Sequence, residues 1–151
     1  MATPTHQEPP RPRTKPRVLL AARPVAREPF REAIGTEAEL VEVDTLEEAL
    51  KQLKNRGDEP RIVCCTVYFD ESRMFELLRW IRAERAHIPV ICARAVPKDI
   101  TKVSMEAVKI AVDALGATSF IDVAAIMEKY GPEAAIRKLR ELLLNVLAAP
   151  S

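Results

Sequence analysis

The side chains with chemical potential in this sequence sit at the ends of apolar runs. Arg23 follows Val18–Ala22, Thr66 lies near the end of Arg61–Val67, and Arg94 follows Pro89–Ala93. Two guanidinium groups and a hydroxyl converging on one point would bind an anion, because each guanidinium presents paired N–H donors that match a carboxylate or phosphate. The competing expectation for Arg94 is a structural plug, its charge paired with a nearby carboxylate such as Asp70 or Glu71. Cys64, Cys65 and Cys92 have no CxxC or Cys/His metal spacing, so they read as reduced core thiols of a cytoplasmic protein. His87 stands in a loop before Pro89 with no Ser, Cys or Asp constellation beside it, and His6 falls in a Pro-rich tail. No nucleophile–base pair results, and no glycine-rich phosphate loop supports a nucleotide. Enzymatic activity, a metal site and a cofactor are therefore not expected.

The elements that position these residues follow from periodicity. Val18–Ala22 and Arg61–Val67 are continuous apolar runs of the kind found in parallel strands covered on both faces. Ala38 to Val43 alternates Leu40, Val41 and Val43 with Glu39 and Glu42, which suits a strand near a sheet edge. Pro89–Ala93 and Thr118–Ile121 complete five strands. Between them, helices are predicted from Pro24/Pro29 to about Ile34 and from an Asp44 or Thr45 cap through Leu53. Further helices are expected from Ser72 to Arg85 and from Met105 to Leu115, with Gly116 as the stop. Pro132 opens a last helix whose Ile136, Leu139, Leu142, Leu143 and Val146 lie at helical spacing. Strands alternating with helices predict a doubly wound α/β domain, a five-stranded parallel sheet of order 2-1-3-4-5 with helices on both faces. Ligands of such a sheet sit beyond the carboxyl ends of its strands.

Composition narrows the class. A chain of 151 residues with a formal net charge of +1 fits one domain plus tails and offers no whole-molecule attraction to nucleic acid or anionic lipid. Residues 1–16 are Pro-rich and carry a local basic cluster, Arg11, Arg13 and Lys15, next to Arg17. They bury too little apolar surface to offset ordering entropy, so this segment is expected to be disordered and the domain to span 17–148. No apolar run reaches the roughly 20 residues of a membrane span.

Several segments resemble, in order and spacing, the receiver domain of two-component response regulators. Leu20-Ala21-Ala22-Arg23-Pro24 is similar to the end of that family's first strand, Pro60 to Thr66 to its third, and Phe75 to Arg82 to the following helix. Pro89-Val90-Ile91 is similar to the fourth strand, and Gly116-Ala117 to the turn before the fifth. The resemblance implies a flavodoxin-like (CheY-like) fold and a signal-transduction role. It also implies positions for a phosphorelay site: an acidic pair and an Asp that bind Mg²⁺, a Ser/Thr and a Lys. Here those positions hold Ala21 and Ala22, Thr66 at the phosphoacceptor, Arg94, and either Val123 or, with a gap, Lys129. Alanine gives Mg²⁺ no oxygen, and a threonine hydroxyl forms no acyl phosphate.

The reading that follows is a degenerate, pseudo-receiver domain: not an enzyme, non-phosphorylatable, a protein-binding adaptor or regulator in signalling. The alternative is a sensor of a small anionic ligand held by Arg23, Thr66 and Arg94. Candidate partner contacts are Tyr68, which follows the third strand, Trp80 beside the buried stripe of its helix, and Leu143 and Val146 of the last helix. A signalling protein is the expected partner and a homodimer is an alternative use of the last helix; nucleic acid and membrane are not expected. The intervals 96–104 and 123–131 depart in length from the family and are expected to reshape its usual partner face.

Overall fold

The computed structural model describes residues 15–97 and 102–149. The N-terminal segment, apart from Lys15 and Pro16, and residues 98–101 of the reshaped interval lie outside the described residues.

Five strands, β1 (Arg17–Ala21), β2 (Glu39–Val43), β3 (Ile62–Thr66), β4 (Val90–Arg94) and β5 (Ser119–Asp122), form one parallel sheet in the order β2-β1-β3-β4-β5. This is the flavodoxin-like arrangement expected from the alternation of runs. β3 and β4 are buried throughout, whereas β2 is buried only at Val43, as its acidic alternation requires at an edge. The helices are α1 (Glu28–Ile34), α2 (Leu46–Lys54), α3 (Met74–Glu84), α4 (Lys102–Ala114), α5 (Val123–Tyr130) and α6 (Pro132–Ala148).

The pleat divides the core in two. Val18, Leu20, Ile62, Cys64, Ile91 and Ile121 face Phe30 and Ile34 of α1 and Leu139 and Leu143 of α6. Leu19, Val63, Cys65, Val90 and Cys92 face Leu53 of α2, Leu77 and Ile81 of α3 and Val112 of α4. Each fully buried leucine or isoleucine contributes about 1.5–3 kcal/mol. Cys64 and Cys65 therefore lie on opposite faces, as strand alternation dictates. All three cysteines are free, and burial pushes their thiols up, Cys92 to about 12. They stay protonated and unreactive at neutral pH.

Two elements differ from expectation. The interval after β5 holds a helix of its own, α5. Asp122 accepts a hydrogen bond from the Ala125 N–H (3.0 Å) and caps it, while Val123 and Ala124 bury its first turn. Gly131, at φ 92, breaks the chain between α5 and α6. α6 then packs along α1, where Arg140 donates to the Ala33 carbonyl (2.9 Å) and pairs with Glu37 (2.6 Å). The second difference is the start of α3 at Met74 rather than Ser72. Asp70, Glu71 and Ser72 have φ of 43, 54 and 73, a left-handed run that costs side chains about 1–2 kcal/mol each.

Candidate functional site

The carboxyl ends of β1, β3, β4 and β5 hold the residues in question. Ala21 and Ala22 are wholly buried, and their methyl groups belong to opposite halves of the core. The Ala22 carbonyl accepts from Arg27 Nε (3.0 Å), and Arg27 continues to Asp44, the residue that follows β2. Thr66 is only 3% exposed, and its Oγ1 has no hydrogen-bond partner among the described residues. Strand pairing aligns it with Ala93, which belongs to the α1/α6 face together with Ala22 and Val123.

Arg94 turns the other way. Its Cα partner on β5 is Asp122, and Nη1 donates to both carboxylate oxygens at 3.0 Å while Nη2 donates to the Pro97 carbonyl at 2.7 Å. One guanidinium thus ties β4, the chain leaving it, β5 and, through the Asp122 cap, the first turn of α5. Pairing with a carboxylate was expected, but not with this one. Asp70 instead accepts the Leu46 N–H (2.8 Å) and pairs with Arg73 (3.9 Å), while Glu71 is exposed. Register decides the matter: residues 94 and 122 end neighbouring strands, whereas 70 and 71 lie in the turn between β3 and α3.

The other expected contacts fall as follows. Arg23 stacks over the Tyr68 ring (5.6 Å), so Tyr68 is a half-buried cover for an arginine. Among the described residues no hydrogen bond links the Thr66 hydroxyl to Arg23 or Arg94. Val123 directly follows β5 and is fully buried, whereas Lys129 sits exposed in the last turn of α5 over Tyr130 (5.3 Å). Trp80 is half-buried against the α2/α3/α4 side of the core under the Arg85 guanidinium (5.4 Å). Leu143 is fully buried between α6 and the sheet, which corrects its reading as a partner contact: it has no surface to offer. Val146 keeps partial exposure while packing on the same cluster. Sequence reasoning missed Asp122, although the 4-5 strand order points to it, and it missed Ile110 and Tyr130, exposed at 69% and 66%.

The chain closely overlays known structures. A response regulator from Thermotoga maritima is 17% identical and matches with a TM-score of 0.65 over 89% of this chain and 99% of its own. The phosphorylated cyanobacterial phytochrome response regulator RcpA is 16% identical, with a TM-score of 0.67 over 91% and 99%. A response regulator of red light signalling in R. palustris is 17% identical, with a TM-score of 0.65 over 90% and 99%. The fold is the receiver fold. No protein-family model matches the chain, and no curated protein sequence matches it.

The receiver fold implies a Mg²⁺ ion at the carboxyl ends of β1 and β3. The residues present do not fit one: two buried methyl groups and a buried hydroxyl stand where a hard cation needs carboxylate oxygens. Among the described residues no group of three or more His, Cys, Asp or Glu could hold a metal ion. Among them, too, no helix is long and apolar enough to cross a membrane.

Proposed function

We propose that this chain is a non-phosphorylatable, receiver-type domain that works as a protein-binding adaptor or constant-state regulator in signal transduction, with no catalysis and no cofactor. The observation that carries this reading is the Arg94–Asp122 pair. In a switching receiver the end of the fourth strand responds to a phosphoryl group. Here it is held by an ion pair, in which Arg94 Nη1 reaches both Asp122 oxygens, and by a carbonyl contact, neither of which needs a ligand. Loss of switching leaves binding as the use of the fold. The apolar residue Ile110 on α4 and Tyr130 on α5, both exposed, supply partner contacts on a remodelled version of the usual receiver face. Three buried free thiols suit a cytoplasmic setting.

The second reading, an anion sensor, is favoured by one observation: the buried Thr66 hydroxyl has no partner among the described residues, and an entering anion would accept from it.

A melting scan separates the two. Mg²⁺ with beryllofluoride is expected to leave the melting temperature unchanged, since only a ligand that binds the folded state raises it. A rise with that mixture sinks the adaptor reading. A rise with phosphate or sulfate alone, lost in Thr66→Val, promotes the sensor.

A further inference from the structure

The opposite end of the sheet carries a cavity that no part of the proposed function uses. It has a volume of about 570 Å³ and lies where the chain approaches β3, β4 and β5, closed on one side by the last turns of α6. That volume is within the roughly 300–1,000 Å³ of small-molecule sites. Its apolar walls are Pro60, Ile88, Pro89 and Val146, and its polar groups include Glu59, Arg61, His87 and Asn145.

Charge within it is unevenly satisfied. Glu59 is doubly engaged, by His87 Nε2 at 2.6 Å and by Arg85, itself only 6% exposed, at 3.8 Å. Arg61 has no carboxylate partner among the described residues. Its Nη2 donates to the Leu147 carbonyl (2.9 Å), which answers the negative end of α6, and its other donors meet no acceptor among the described residues. By contrast Arg17, on the neighbouring strand, is paired with Asp58 at 2.6 Å and Glu39 at 3.9 Å. The cavity thus joins an uncompensated guanidinium to an apolar wall. A guanidinium with spare parallel N–H groups selects a carboxylate, and the prolines and aliphatics select an apolar body.

We propose that this amino-end cavity binds a small amphipathic carboxylate, its carboxyl group on Arg61 and its apolar body against Ile88, Pro89 and Val146. The site is independent of the dismantled carboxyl end.

The test is a ¹⁵N–¹H titration of the full chain with phenylacetate, and with 2-phenylethanol and phenethylamine as its neutral and cationic counterparts. Saturable shifts are expected with phenylacetate, centred on the amides of Arg61, His87, Thr118 and Asn145, and about tenfold weaker binding with the alcohol. Arg61→Ala should lower phenylacetate affinity about tenfold and leave the alcohol unaffected. Asn145→Asp, a change on an exposed helix face that spares the fold, should weaken phenylacetate and strengthen phenethylamine. Equal responses to all three probes, shifts scattered over the surface or at the carboxyl ends, no shift, or affinities indifferent to both substitutions would each overturn the site.

Discussion

The two ends of the sheet solve opposite problems. At the carboxyl end, methyl groups of Ala21 and Ala22, the buried Val123 and the Arg94–Asp122 pair fill or neutralise the place where this fold ordinarily holds a charged ligand. At the amino end, the polar side chains stay at the rim of an open cavity, and Arg61 keeps donors to spare. Buried polar groups must be paired or they cost free energy, whereas rim groups are satisfied by water. The carboxyl end is therefore sensitive to any change in polarity, and the amino end is tolerant.

The hardest trial of that contrast is a carboxylate at position 66. Thr66→Asp would put a charge among apolar neighbours with no Mg²⁺ ligands opposite, and should cost about 3 kcal/mol or more in urea unfolding. An unchanged unfolding midpoint would mean that the carboxyl end is wetter than its burial implies. Next in size is Asp122→Ala, which strands the buried Arg94 charge and removes the cap of α5. A loss of about 2–4 kcal/mol is expected, discounted because Asp122 keeps a quarter of its side-chain exposure. A loss below about 0.5 kcal/mol, the range of an exposed pair, would deny that the ion pair fixes this end.

Thr66→Val carries the opposite sign. It removes an unpaired buried hydroxyl at nearly constant shape and should stabilise by about 1 kcal/mol. Thermal melts that fall instead would show that Oγ1 has a water partner. Smaller still is Ser72→Gly, which relieves a left-handed residue and should gain about 0.5–1 kcal/mol.

The strand order and the two-sided core were legible in the sequence because β3 and β4 are uninterrupted apolar runs and β2 alternates with glutamates. α5 was not legible: eight residues hold barely two turns, and Val123 to Tyr130 reads equally well as a lead-in to α6 until Asp122 is seen capping it. Arg94's partner escaped for a different reason. Asp70 and Glu71 lie closer in sequence, but pairing in a sheet is set by register, and register becomes visible only once β4 and β5 are side by side. The left-handed turn at Asp70–Ser72 carries no glycine to announce it.

The amino end gives the mildest effect, through pH. The Glu37 carboxyl, near the start of β2, is held down to about 2 from an ordinary 4.5, chiefly by its hydrogen bond from Arg140. A depressed acid lends stability that is present above its unfolded value and lost as pH falls through its folded one. The α1–α6 clamp should thus weaken between about pH 4.5 and 2, and Glu37→Gln should flatten the melting curve's dependence on pH across that window. Because the pair is partly exposed, salt should shrink the difference. A pH dependence identical in both proteins would remove Glu37 from the account.

The Arg94–Asp122 pair also bears on which neighbouring sequences are reachable. Placing a hydroxyl at 94 alone takes the ion-pair partner from Asp122, and placing a carboxylate at 66 alone sets it on the apolar face of Ala22 and Val123. Each first step toward a phosphate-accepting cup runs uphill in stability, so only several simultaneous substitutions would cross the gap. The ion pair acts as a ratchet in sequence space, because a single substitution at either end leaves the opposite charge without its partner.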